Sequence, residues 1–215
     1  MAARAATLHD LLRAIEAQGV TDPRILAAFR AVPRAGFVPA EFASRAYEDR
    51  PVPIPHGQVT TQPSLVAQMI AALDPAPDDR VLEIGTGLGY QAAVLSRLCA
   101  EVVTIERFAD LAREARANLE RAGIRNVVVL VGDGTLGAPA YAPFRGIVGA
   151  AAAPAPPPPL VEQLEDGGRL VLPIGPGGRD EVLVFEKRRG RLVRAGHVVP
   201  ACFVRMVGRH GHRDD

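Results

Sequence analysis

Glycines at positions 85, 87 and 89 break the stretch DDRVLEIGTGLGYQAAVLSRL (Asp78–Leu98), where a short apolar run gives way to a helical pattern. A turn of this composition lets the backbone come close to a small ligand. It is not the phosphate-cradling loop, because no Lys-Ser/Thr pair follows. It also departs from the dinucleotide fingerprint, because the third glycine comes one residue early. Glu83 lies in the apolar run before the loop. Glu106 ends the next apolar run, 21 residues beyond Gly85, and Asp133 follows the third run in VGDG. A carboxylate at the second strand tip can accept from both ribose hydroxyls, and one beside the third suits the amino group of adenine. Three acids around a loop without Lys or Arg do not make a pyrophosphate site. They suit a cationic nucleoside, and S-adenosylmethionine has that chemistry: a sulfonium, an adenosine and no phosphate.

The elements that must position these acids are legible from periodicity. Apolar runs at VLEIG, EVVTIE, NVVVLV, FRGIVG and RLVLPIG read as strands. YQAAVLSRL, ADLAREARANLERAG and PPLVEQLEDGG read as the helices between them. DEVLVFEKRRGRLVRAGHVV reads as a hairpin. The expected architecture is α/β: a doubly wound, mostly parallel seven-stranded sheet with antiparallel C-terminal strands. Ahead of it, Leu8, Leu11, Leu12 and Ile15 fall at i, i+3, i+4 and i+7 behind Thr7, a candidate N-cap. Ile25, Leu26 and Phe29 mark a second helix, ended by VPRAGFVP, and SLVAQMIAALDP marks a third, stopping before Pro75. Between them AYEDRPVPIPHGQVTTQP, rich in proline and without helical period, reads as extended chain. The expected organisation is an N-terminal helical extension with a lid segment (1–63) and a cofactor-binding domain (64–215), joined as one compact unit.

Composition narrows the function classes. Of 215 residues, 48% are apolar and 23% charged, which suits a globular chain, and a net charge of +1 supplies no strong pull toward nucleic acid or anionic membrane. No apolar run reaches the roughly 20 residues needed to span a bilayer. Cys99 and Cys202 are too few for a disulfide scaffold, so reduced thiols in a cytoplasmic protein are expected; a monomer is expected as well. No Ser/His/Asp or Cys/His arrangement and no metal-ligand spacing is present. His56 is a loop residue beside the lid. His210 and His212 lie in a charged tail expected to be disordered.

The loop GTGLGYQ, the preceding DRPVPIPHGQVTTQP, and the later GDG, AAAP and EQLEDGGRLVLPIG together resemble the protein-L-isoaspartate O-methyltransferases, from about Val32 to Val207. The resemblance implies methyl transfer from S-adenosyl-L-methionine, released as S-adenosyl-L-homocysteine, to the α-carboxylate of L-isoaspartyl residues in damaged proteins and peptides, a repair reaction. It implies no metal and neither nucleic acid nor membrane as partner. Gly85, Thr86, Gly87, Gln91, Glu106, Asp133 and Gly134 would hold the cofactor, with Glu83 and Thr60 beside them. Gly57, Gln58, Val59 and Gln62 would form a lid over substrate and methyl group, with Thr61 as the hydroxyl that orients the carboxylate. The family usually has a hydroxyl two residues after Gly57 and a serine four after it. Here Val59 and Thr61 stand there, with an added hydroxyl at Thr60. In extended chain, 59 and 61 face one way and 60 the other. Arg145 and Arg205 replace an Asp and a Pro that the family prefers.

The chemistry fits the absence of a proton-transfer pair. An isoaspartyl α-carboxyl resembles a terminal one, with a pKa of about 3.3–3.7, and is ionised at neutral pH. No general base is needed, and a rate nearly flat between about pH 6 and 8 is expected. Alignment and exclusion of water are the enzyme's tasks. Two alternatives stand beside this reading. One is a methyltransferase of the same fold acting on another peptide or small-acid carboxylate. The other is a cofactor binder with little or no turnover.

Overall fold

The computed structural model describes residues 5–214. Helix α1 (Leu8–Ala17) begins at Thr7, which forms a reciprocal capping box with Asp10 and buries Leu11, Leu12 and Ile15. Asp22 caps α2 (Pro23–Ala31). The VPRAGFVP break becomes a 3₁₀ turn, Arg34–Phe37, and a second one follows at Ala40–Arg45. The expected extended segment is extended but also paired. Its strands β1 (Val52–Ile54) and β2 (Gln58–Thr60) form a small antiparallel hairpin with Val52 opposite Thr60. His56 and Gly57 close it at φ values of 61° and 65°, the left-handed pair that a tight hairpin turn demands.

Helix α3 (Pro63–Leu73) leads into the main sheet and ends at left-handed Asp74. The sheet order is β5-β4-β3-β6-β7-β8-β9. Strands β3 (Arg80–Ile84), β4 (Glu101–Glu106), β5 (Val127–Val131), β6 (Phe144–Gly149) and β7 (Leu164–Ile174) run parallel. The last two, β8 (Asp180–Arg188) and β9 (Arg191–Ala201), are antiparallel and joined through Arg189 and Gly190, as the hairpin pattern predicts. Helices α4 (Tyr90–Leu95), α5 (Ala109–Arg121) and α6 (Pro158–Gln163) connect the parallel strands. The chain proceeds outward from central β3 to β5 and then returns to β6 on β3's other side. That reversal makes the crevice above the carboxyl end of β3, where open α/β sheets bind ligands.

The N-terminal helices share a core with the sheet domain: Leu11, Ile15 and Phe29 belong to one cluster with Met69, Ile70, Val94 and Val148. Two expectations change. EDGG was read as the end of a helix, but β7 begins at Leu164 directly after α6, with a register shift opposite Phe144/Gly146. The tail carrying His210 and His212 is ordered. The amide of His212 donates to Met206 O, that of Arg209 to the Asp133 carboxylate and that of His210 to the Thr135 hydroxyl. Composition alone does not show such acceptors, two of which, Asp133 and Thr135, lie far back in the chain.

Candidate active site

The cavity over the carboxyl ends of β3 and β4 gathers Glu83, Gly85, Thr86, Gly87, Gln91, Glu106 and Gly134 on its floor. Gln58, Val59, Thr60 and Thr61 from the hairpin side and Val204–Val207 from the C-terminal segment close over it. Gly87 sits at φ 54° and its amide donates to Glu106 Oε2 at 2.8 Å. The other carboxylate oxygen accepts from the Phe108 amide at 3.1 Å. Glu106 therefore ties the glycine loop to the end of β4, and each oxygen keeps a lone pair for a ribose hydroxyl. At Gly134 an added Cβ would stand 2.5 Å from Ile84 Cγ2, so glycine permits the close approach of this turn to the end of β3.

Glu83 is fully buried. To the ionised Glu83 the Thr104 hydroxyl donates at Oε2 over 2.5 Å, and the Thr86 hydroxyl then donates in the 2.7 Å contact with Thr104. Glu83 Oε1 and the Gln91 amide are buried facing each other, without a hydrogen bond of good geometry to any group. Loss of solvation pushes the Glu83 carboxyl up to about 8, and the neighbouring Glu106 adds to the rise. A group titrating near neutral pH thus stands in the cavity, which the chemistry of an ionised substrate alone gave no reason to expect. The orphaned atoms match the amino acid part of S-adenosylmethionine: its ammonium is a cationic donor for Glu83, and its carboxylate accepts from an amide N–H such as that of Gln91. By this test the residues fit the group.

Four of the expected residues have structural tasks of their own. The Asp133 carboxylate accepts from the Thr135 amide and hydroxyl at 2.9 and 2.6 Å and from the Arg209 amide at 2.7 Å. It holds the C-terminal segment while Oδ2 keeps a lone pair, and its neighbour Gly134 lines the cavity. Thr60 borders the cavity, but its hydroxyl accepts from Arg34 at 2.8 Å and the Val52 amide at 3.2 Å. The Gln62 amide donates to Asp49 and Ser64. Gly57 serves the hairpin turn.

Thr61 and Val59 border both the cavity and an adjoining cleft of about 340 Å³, whose walls include Leu65, Gln68 and the β9 end Val199–Ala201. The expected alternation holds, since Thr60 is buried and Val59 exposed. The two substituted arginines part company. Arg145 is an exposed residue near the start of β6, donating to Asp166 O, whereas Arg205 borders the cavity and donates to Pro176 O.

Sequence reading missed a clasp on the lid. The His56 ring stacks on Phe108 with centroids 4.1 Å apart, and its Nε2 lies 2.7 Å from Asp110 Oδ2 at the start of α5. The hydrogen bond to His56 holds the Asp110 carboxyl below the usual range. The partners lie some fifty positions apart, and no local pattern marks them. Neither thiol offers a nucleophile. Burial pushes Cys99 up to about 12, and Cys202 donates to Gly178 O. Among the described residues no three His, Cys, Asp or Glu side chains are grouped to hold a metal ion, and no helix is long and apolar enough to cross a membrane.

Comparison with known proteins places this arrangement. Residues 6–211 match the family model described as Protein-L-isoaspartate(D-aspartate) O-methyltransferase (PCMT). The chain is 50% identical over 199 residues to a protein-L-isoaspartate O-methyltransferase of Methanoculleus marisnigri, covering 92% of this chain and 89% of that one. It is 48% identical to the enzyme of that name from Aeropyrum pernix, covering 91% and 77%. A solved protein-L-isoaspartate O-methyltransferase superposes with a TM-score of 0.83 at 30% identity, over 95% of this chain and 67% of that one. A Plasmodium falciparum structure described as a complex with S-adenosyl-L-homocysteine shares the fold, with a TM-score of 0.78 at 22% identity over 92% of this chain and 96% of that one. On the family match and these identities, the chain belongs to the protein-L-isoaspartate(D-aspartate) O-methyltransferase family.

Proposed function

We infer that this chain transfers a methyl group from S-adenosylmethionine to the α-carboxylate of L-isoaspartyl residues in damaged proteins and peptides. The observation that carries the reading is the position of Thr61. It stands on the wall shared by the cofactor cavity and the outer cleft, and no hydrogen bond within the protein is described for its hydroxyl. When bound, the cofactor supplies an electrophilic methyl on a positively charged sulfur. Glu106 and Gly87 would hold its ribose end, and Glu83 and Gln91 its amino acid end. The Thr61 hydroxyl donates to one oxygen of the substrate carboxylate and leaves the other to face the methyl. Val59 and Val204 cover the reacting atoms with apolar surface and exclude water. The substrate arrives ionised, so no side chain has to accept a proton. Charge disappears as the bond forms, which a dry site tolerates well.

The test uses purified protein, labelled S-adenosylmethionine and one short peptide carrying L-isoaspartate, L-aspartate or D-aspartate. Methylation of the isoaspartyl form, with the L-aspartyl form rejected, is expected. In L-aspartate the carboxylate stands one methylene further from the backbone. Equal use of both L-forms would move the assignment to another carboxylate. Cofactor binding without transfer to any of the three would mark a binder without turnover and direct attention to Val59 and Arg205.

A further inference from the structure

Arg34 is fully buried, and every hydrogen-bond acceptor around its guanidinium is neutral. Nη1 donates to Ala46 O at 3.1 Å and Glu48 O at 3.0 Å. Nη2 donates to Arg50 O at 2.9 Å, the Thr60 hydroxyl at 2.8 Å and, more weakly, Thr61 O at 3.4 Å. The cation also stands 5.7 Å from the centre of the Tyr90 ring, itself part of the cavity wall. A buried charge held by carbonyls rather than a carboxylate is costly, and each bond it makes is short-range and directional. These bonds join two separate stretches of chain, residues 46–50 and the lid residues Thr60 and Thr61. With the Thr60 hydroxyl held by Arg34, the neighbouring Thr61 is fixed at the wall that the cavity shares with the outer cleft.

We propose that Arg34 is a positioning residue for methyl transfer: it anchors the lid through Thr60 and so sets where the Thr61 hydroxyl meets the substrate carboxylate. The proposal rests on the isoaspartyl methyltransferase reading for its chemistry, but its geometry concerns this chain alone. Arginine suits the task because its planar fork reaches acceptors on two sides at once. Lysine, a single point donor, keeps the charge and loses that reach.

The experiment compares Arg34→Lys, Thr60→Val, Thr60→Ser and the Arg34→Lys/Thr60→Val double variant in the full chain. Steady-state kinetics on the isoaspartyl peptide are paired with hydrogen exchange across residues 52–62. Arg34→Lys and Thr60→Val should each lower kcat by roughly 10–100-fold, the range that a displacement of about 1 Å produces. Thr60→Ser, which keeps the hydroxyl, should stay close to the parent. The double variant should be little worse than Arg34→Lys alone, because both changes cut the same link. Lid amides should exchange faster in Arg34→Lys and Thr60→Val and at the parent rate in Thr60→Ser. Multiplicative losses in the double variant, or lid exchange unchanged in Thr60→Val, overturn the proposal. If Arg34→Lys does not fold, the Thr60→Val and Thr60→Ser pair decides. If the parent itself fails to methylate the peptide, the substrate reading has failed, and the exchange pattern still decides the role of Arg34.

Discussion

Replacing Glu83 by glutamine should stabilise the protein without cofactor and weaken its hold on the cofactor. The carboxyl is fully buried, and its pKa rises from 4.5 when unfolded to about 8 when folded. Between those values the folded state binds more protons than the unfolded one, so stability from this group falls as pH rises through that window. Integrating the linkage relation gives a cost of about 1 kcal/mol at pH 5, about 3 kcal/mol at pH 7 and somewhat more above pH 8. Glutamine keeps an acceptor for the Thr104 hydroxyl and carries no charge to desolvate. Melting curves of parent and variant should therefore diverge with pH. The variant's advantage should widen by roughly 4–8 °C between pH 5 and pH 7 for a chain of this length. Binding should move the opposite way. The parent must ionise Glu83 to pair with the ligand ammonium, so its affinity for S-adenosylhomocysteine should climb by up to about tenfold per pH unit from pH 6 to pH 8. The variant's affinity should be flat and at least about tenfold weaker at pH 8. At saturating cofactor kcat should stay nearly flat, because Glu83 is already ionised in the complex. Parallel melting curves for the two proteins across pH 5 to 8 would refute the reasoning.

Two further substitutions probe the ends of the site. Glu106→Ala removes the acceptor of the Gly87 and Phe108 amides as well as the proposed ribose contact, and calorimetric titration with S-adenosylhomocysteine should show at least about a tenfold loss of affinity; unchanged affinity places the ribose elsewhere. Thr61→Val should cut kcat on the isoaspartyl peptide by about tenfold or more while cofactor affinity moves only a few-fold, and Thr61→Ser should retain activity. A Thr61→Val enzyme as fast as the parent removes the assigned role.

The parts of the molecule legible in the sequence were those whose cause is local. A capping box spans three residues, and the apolar runs of β3 to β7 carry their own signature, so helix α1 and the sheet follow from the chain directly. The glycine loop with Glu106 at the next strand tip is legible for the same reason: the parallel sheet puts successive strand ends side by side. What escaped depends on contacts across the chain. Arg34 in VPRAGF has nothing nearby to announce five acceptors between residues 46 and 61. Asp133 has the position of an adenine contact, and nothing near it in the chain announces that the Arg209 amide, 76 residues on, also donates to it. The hairpin in the proline-rich stretch was missed because its strands are three residues each, too short to show a period.

The clasp formed by His56, Phe108 and Asp110 has a consequence for time rather than affinity. Residues 106 to 110 carry the Glu106 carboxylate of the cavity at one end and the partners of the lid tip at the other, so the hairpin is fastened beside the part of the cavity it covers. A fastening of this kind slows arrival and departure of the cofactor alike. Cutting it with His56→Ala removes the ring stack and the contact with Asp110 but leaves Glu106, Glu83 and the glycine loop intact. Stopped-flow measurements should then show association and dissociation of S-adenosylhomocysteine accelerating together, with the ratio of the two rates nearly preserved. A change in dissociation alone would mean that the hairpin grips the ligand directly, and that the histidine is part of the binding surface and not of its gate.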